Sequence, residues 1–377
     1  MLNDYMGILN LNEDEKNIRS LTINRPIGSI PIYGRYRVID FMLSNMVNSG
    51  IKNIGIFAQS NSRSLADHLE TGKPWDLDRK IGGLFLFNYD INNYLLNDVR
   101  LLRNNMEYLY RSKEDNVIVS SSYMVCNIDL EKVVKEHENS KSDITMVYKK
   151  VRNDGVSFLN CDVFNLDDNG KVLSVGKNIG KLGQKNNISM EIFIMKKERL
   201  IDIIYKCLET GYYASLKDYI YGNLDKYNIN SYEFCGYLQC INSSTAYYKA
   251  NLDILSLKVR DELFLKDRKV YTKSKDMPPT EYSVNSKVKS SFIANGCIIK
   301  GTIKNSIISR GVVIEEGAKV KDSIILQKCI IKKGAKLNKV ILDKNVVIKE
   351  NKQLVGDEEY PLIIEKTTNA GLIKRVV

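Results

Sequence analysis

Along residues 1–265 the apolar positions change period again and again. YMGILNL (5–11), NIGIFAQ (53–59) and NVIVSS (116–121) read as short buried strands. Val38, Phe41, Met42 and Asn45 have helical spacing within Arg37–Asn48, and Gly50 closes that helix. A short helix ending at Gly72, a helix near 98–112 and a helix from Asp129 to His137 with Asp129 as its N-cap follow. Further strands are expected near 143–149, 156–164, 171–176 and 188–195, and Asn242–Val259 closes the region as a helix. Such β-α-β alternation predicts a doubly wound, mostly parallel sheet covered by helices, with ligands beyond the carboxyl ends of its strands.

Residues 266–285 are polar and hold two adjacent prolines, which predicts a linker between a first domain at 1–265 and a second at 286–377. The second has a different rhythm. Ile303, Val320, Leu337 and Leu354 lie 17 apart, as do Ile308, Ile325 and Leu342, and Ile314, Ile331 and Ile348. Gly317 and Gly334 share one phase, and KNSII recurs as KDSII. Three short strands per turn, each sending one aliphatic inward, stack into a triangular β-helix followed by a C-terminal tail. A sandwich of short strands would not enforce one period on three separate phases.

Composition narrows the function. The 377 residues are 44% hydrophobic and 27% charged, ordinary for a globular protein. No apolar run is long enough to cross a membrane, and the N-terminus lacks a basic stretch ahead of an apolar one, so a cytoplasmic protein without membrane contact is expected. Seven dispersed cysteines with no C-x-x-C fit reduced thiols rather than a zinc site, and no metal site is expected. Only His68 and His137 could serve as histidine bases. The net charge of +11 is unevenly placed: residues 1–265 carry 33 basic and 33 acidic residues, residues 266–377 carry 23 and 12. The excess is either a solvated lysine face or an attraction for anions. No nucleic-acid-binding motif accompanies it, so nucleic acid is not an expected partner.

The run YGRYRVIDFMLSNMVNSGI (33–51), GKPWDLDR (72–79), ISMEIFI (188–194), YYKANLDIL (247–255) and the 17-residue repeats closely resemble the glucose-1-phosphate adenylyltransferase (ADP-glucose pyrophosphorylase) family over essentially the whole chain. The resemblance implies a Rossmann-like nucleotidyltransferase domain with a doubly wound mixed sheet, followed by a C-terminal left-handed parallel β-helix. It also implies the joining of ATP to glucose 1-phosphate for glycogen synthesis, with the β-helix serving tetramer contacts and allosteric control.

That chemistry needs a backbone nest for phosphates, cations and Mg²⁺-binding carboxylates. The family's GGxGTRL loop falls on Asn12, Glu13, Asp14, Glu15, Lys16, Asn17 and Ile18. No glycine remains, and three consecutive carboxylates oppose a triphosphate. The catalytic arginine position is Asn17. The lysine of the R-A-K-P run is Ile27, although its arginine survives as Arg25. The first Mg²⁺ carboxylate, in G-D-H, becomes Ser122, and the second, in W-R-D-V-G, becomes Cys240, a soft and poor ligand for Mg²⁺. The sugar-phosphate segment Y-R-G-T-A reads Leu95-Leu96-Asn97-Asp98-Val99.

Other positions survive. Arg35 matches a lysine that contacts the phosphate of a sugar-bisphosphate activator, and Arg37 follows it at a helix start. With Arg25 they form the expected effector-phosphate set; salt bridges to nearby carboxylates are the alternative. Lys177 falls on the E-K-P sugar-phosphate lysine and is otherwise a plain surface lysine, Ser189 matches the serine of S-M-G, and Gln59 matches a glutamine coupling effector to active site. The expectation is a regulatory, catalytically deficient subunit that needs no cofactor itself, Mg²⁺ residing in a catalytic subunit of the same fold. The assembly expected is a hetero-oligomer, a tetramer, or else a homo-oligomer, with a sugar-phosphate effector. The rivals are an active transferase rebuilt around Asp129, Asp162 and Lys16, and a free-standing sugar-phosphate sensor. A β-helix acyltransferase is excluded because residues 286–356 contain no histidine base.

Overall fold

The computed structural model describes residues 1–58, 62–88, 97–211, 215–357 and 359–366. Nine strands form the first sheet: β1 (Tyr5–Leu11), β2 (Asn53–Ala58), β3 (Gly83–Asn88), β4 (Asn116–Ser121), β5 (Ile144–Arg152), β6 (Asp162–Leu166), β7 (Val172–Lys177), β8 (Lys185–Lys196) and β9 (Ile229–Glu233). Their order is β7-β6-β8-β4-β1-β2-β3, with β5 also pairing β8 and β9 pairing β5. β4, β1, β2 and β3 run parallel, whereas β8 is antiparallel to its neighbours, so the sheet is mixed.

Period-two alternation gives each face its own core. In β1, Met6 and Ile8 enter a cluster with Val99, Leu102 and Ile204. Tyr5, Leu9 and Leu11 enter another with Phe41, Met42 and Val133. Helices Val38–Asn48 and Leu130–Ser140 thus cover one face, and Asp98–Asn104 with Lys197–Thr210 cover the other. The helix expected at 98–112 breaks at Asn105, whose side-chain amide donates to the Leu101 carbonyl (2.8 Å) and ends the first segment. That expected at 242–259 likewise divides into Ser244–Asp253 and Leu257–Leu263. The strand expected at 156–164 begins only at Asp162, because Asp154 first caps a turn by accepting from the amides of Val156 and Ser157.

The C-terminal region is a left-handed parallel β-helix of three five-stranded sheets. Each ladder repeats one phase of the sequence: Val288, Ile303, Val320, Leu337 and Leu354 stand in register, as do Ile308, Ile325 and Leu342. From Ile303 onward these side chains fill the β-helix interior with Ile314 and Ile331, Leu354 packing against its edge, whereas Val288 on the first coil is exposed. The neighbouring ladder Ile307, Ile324 and Ile341 points the other way and joins the core of the first domain. The paired isoleucines of KNSII and KDSII thus serve two cores, one inside the β-helix and one between domains. The approach is tight: a Cβ on Gly34, at φ +77°, would stand 3.3 Å from the Ile308 carbonyl.

The stretch 266–285 differs from a free linker. Arg268 donates to the Ile128 carbonyl and ion-pairs with Asp129, and the Tyr271 amide donates to Ser44 (2.9 Å). Its end already belongs to the β-helix, whose first strand is Glu281–Tyr282. Polar composition marked these residues as a linker because their partners are polar groups of the first domain. Among the described residues no helix is long and apolar enough to cross a membrane.

Candidate functional site: an acidic cleft and a basic domain junction

A cleft of about 670 Å³ opens beyond the carboxyl ends of β1 and β4, where ligands of such sheets bind. Asn12, Glu13, Asp14 and Asn17 line it from the loop after β1, and Ser120 and Ser121 from β4. Lys177, Glu191 and Lys217 line it further along. Glu13 folds back over Ser122, accepting from its amide and its hydroxyl, both at 2.7 Å. Burial of that carboxyl pushes its pKa up to about 7 against the pull of these hydrogen bonds. Asp98 accepts from Asn10 (2.7 Å) and from the amides of Val99 and Leu216, and burial lifts it to about 6.

The cleft's lysines are already engaged. Lys177 pairs with Asp162 at 2.5 Å. Lys217 pairs with Asp162 at 3.0 Å and with Glu191, which also accepts from the Tyr123 hydroxyl at 2.8 Å. Ser189 is buried and bonded to the Tyr221 hydroxyl (2.9 Å), and does not line the cleft. Asn17 stands on the cleft wall, its carbonyl accepting from the Ser244 hydroxyl. Cys240 is fully buried beside Cys161, and desolvation holds its thiol well above the usual range. A hydroxyl already bonded to Glu13 and a buried protonated thiol do not fit Mg²⁺. Asp129 lies elsewhere, capping its helix through the amides of Glu131 and Lys132. Asp162 is consumed by two lysines, and Lys16 is exposed beside Asp14 (3.8 Å). Among the described residues no group of three His, Cys, Asp or Glu side chains could hold a metal ion.

The second polar region lies where the first domain meets the β-helix. Arg25, expected to hold an effector phosphate, is instead buried and committed: it donates to Asp343 (2.6 Å) and to the Leu21 carbonyl (2.8 Å). Its partner lies 318 residues away, which no local pattern reveals. Arg37 donates to Ser29 and to the Ser64 carbonyl (2.6 Å), while its amide donates to Asp40 (2.9 Å). Arg35 is exposed and lies over the Tyr36 ring. Gln59, like Leu95 and Leu96, lies outside the described residues.

Three cations join them that sequence reading did not single out. Arg310 is 4% exposed, with its Nε buried and unbonded. Burial and the neighbouring charge of Arg35 lower its pKa. Lys344 is held down to about 7 by burial and by the charges of Arg37 and Arg25, with Asp343 opposing. Lys275 is lowered by burial and by Arg310 and Arg37. These side chains come from three separate stretches, two within the β-helix and one just before it, and only the lysine excess after residue 265 hinted at them.

Residues 16–157 match the Nucleotidyl transferase family, and residues 278–371 match the family described as GlmU-like, C-terminal hexapeptide. The molecule is thus a nucleotidyltransferase-type α/β domain joined to a hexapeptide β-helix. Over 377 residues, 98% of each chain, it is 37% identical to the glycogen biosynthesis protein GlgD of Geobacillus stearothermophilus. It is 34% identical to GlgD of Bacillus subtilis (strain 168), covering 84% of this chain and 83% of that one. The glucose-1-phosphate adenylyltransferase of Clostridium novyi (strain NT) is 28% identical over 77% of each. The chain belongs to the GlgD family.

Proposed function

We propose that this chain is a regulatory, catalytically deficient subunit of ADP-glucose pyrophosphorylase, acting in glycogen biosynthesis. It pairs with a catalytic subunit of the same fold that carries the Mg²⁺ and joins ATP to glucose 1-phosphate. The observation that carries this reading is the loop after β1. Where a nucleotidyltransferase of this family cradles a triphosphate on glycines, Glu13 caps Ser122 and Asp14 faces the cleft. Like charge there opposes ATP, and backbone with Cβ atoms cannot approach phosphate closely. The names of the relatives support the pathway.

Regulation is assigned to the junction. Arg35, Arg37, Lys275, Arg310 and Lys344 crowd one another around few acids, and an anion offsets that repulsion. A sugar phosphate bound there braces the β-helix against the first domain, and any difference in its affinity between two arrangements of the assembly becomes a coupling energy. The test is ADP-glucose formation from ATP, Mg²⁺ and glucose 1-phosphate by the purified chain alone. A rate equal to buffer is expected; turnover that disappears with Asp162→Asn or Lys16→Ala would contradict the proposal and point to a rebuilt site.

A further inference from the structure

β8 leaves regular pairing between Ser189 and Phe193. At this bulge Glu191 adopts φ +52°, a left-handed conformation that disfavours any residue with a Cβ. The bulge turns its side chain into the cleft wall. There its carboxylate, only 9% exposed, ion-pairs with Lys217 and accepts from the Tyr123 hydroxyl. Asp162, 5% exposed, fills the remaining reach of Lys217 and pairs with Lys177. Backbone strain and a buried charge meet in one residue, a combination that persists where the surroundings over-determine it.

We infer that the Glu191 carboxylate is a tethered occupant of an anion subsite formed by Lys217 and the Tyr123 hydroxyl, and that it shuts phosphate monoesters out of this end of the cleft. The chemistry is that of a phosphate site: an ammonium group and a hydroxyl donor converge on a carboxylate of the chain itself in place of the ligand, with a second ammonium, Lys177, held beside them by Asp162. Glu191 is therefore a specificity-determining residue rather than a packing accident. The inference rests on the reading of this cleft as catalytically deficient, and supplies one cause of that deficiency.

Glycine accepts φ > 0 without strain, so Glu191→Gly removes the plug and relaxes the backbone. The experiment titrates the full chain with inorganic phosphate and with glucose 1-phosphate by calorimetry at low salt. Wild type, Glu191→Gly and the double variant Glu191→Gly/Lys217→Ala are compared, so that anion binding at the junction cancels. The single variant is expected to gain a phosphate site at least about tenfold tighter than anything Lys217-dependent in the wild type, and the double variant to lose it. A folded Glu191→Gly protein that titrates as the wild type does would overturn the inference, as would Lys217-dependent phosphate binding by the wild type. Should Glu191→Gly fail to fold, Glu191→Gln keeps the side-chain volume, removes the charge and is expected to show a smaller gain of the same sign. Failure of the regulatory reading appears separately, as ADP-glucose turnover by the wild-type chain.

Discussion

In the cleft, Lys177 and Lys217 each meet a carboxylate within the chain; at the junction, Lys275 stands against Arg310 and Lys344 against Arg37 and Lys275, while Asp343 is paired with Arg25. The cleft lysines are thus satisfied within the chain, whereas among the described residues no ion pair is formed by Arg310, Lys344 or Lys275. On the proposed reading the same fold carries a closed cleft and an anion-accepting junction, and charge bookkeeping over named residues tells them apart where fold alone does not.

The largest expected effect breaks the junction itself. Arg25→Ala leaves Asp343 buried without its partner and should cost about 3–5 kcal/mol of stability, read as a shift in the denaturant midpoint. Ile324→Ala removes a side chain buried between the two domains and should cost about 2–5 kcal/mol. In both variants the β-helix interior, which has its own core, should keep its amide-exchange protection while the interface loses it.

Much of this was legible in the sequence. The 17-residue repeat exposed the β-helix because every turn must send aliphatics inward at the same phases. The degenerate loop was legible because glycine and carboxylate are chemically opposite. For Arg25 the sequence leaves a phosphate ligand and a structural ion pair open, because its partner Asp343 belongs to a distant coil and the two leave the same local trace; the structure shows the ion pair. Glu191 falls on the glycine of the S-M-G motif that Ser189 matches, which is the trace its φ of +52° leaves in the sequence, but its pairing with Lys217 is encoded by no local pattern. Arg310 and Lys344 looked like members of a solvated lysine-rich surface until the β-helix turned them toward Arg35 and Arg37.

A smaller effect sharpens the contrast at the junction. Arg310→Gln should weaken sugar-phosphate binding by about tenfold while leaving unfolding stability equal or higher, since it relieves like-charge repulsion. Lys344, at about 7 when folded and ordinarily near 10.5, loses its charge in the native state first. It therefore contributes a loss of stability as pH falls from about 10.5 to 7 and no further change below. An anion restores its proton, so effector binding should take up protons and tighten as pH drops from about 8 to 7, measurable by calorimetry in buffers of different ionisation enthalpy.

The smallest effect lies in the cleft. The Glu13 carboxyl, lifted to about 7, favours the folded state when protonated, so its contribution is full below about 4.5 and is lost as pH rises through 7. Glu13→Gln should flatten the fall in Tm between pH 5 and 8 without altering sugar-phosphate binding at the junction.

The most direct test titrates this chain into a catalytic ADP-glucose pyrophosphorylase subunit and follows ADP-glucose formation with and without a sugar-phosphate effector, using wild type and Arg310→Gln. The wild-type chain should co-assemble and change the catalytic subunit's rate or its effector response at a saturable ratio, and Arg310→Gln should co-assemble but lose the effector-dependent part. A catalytic subunit indifferent to any excess of this chain, in rate and in assembly, would contradict it.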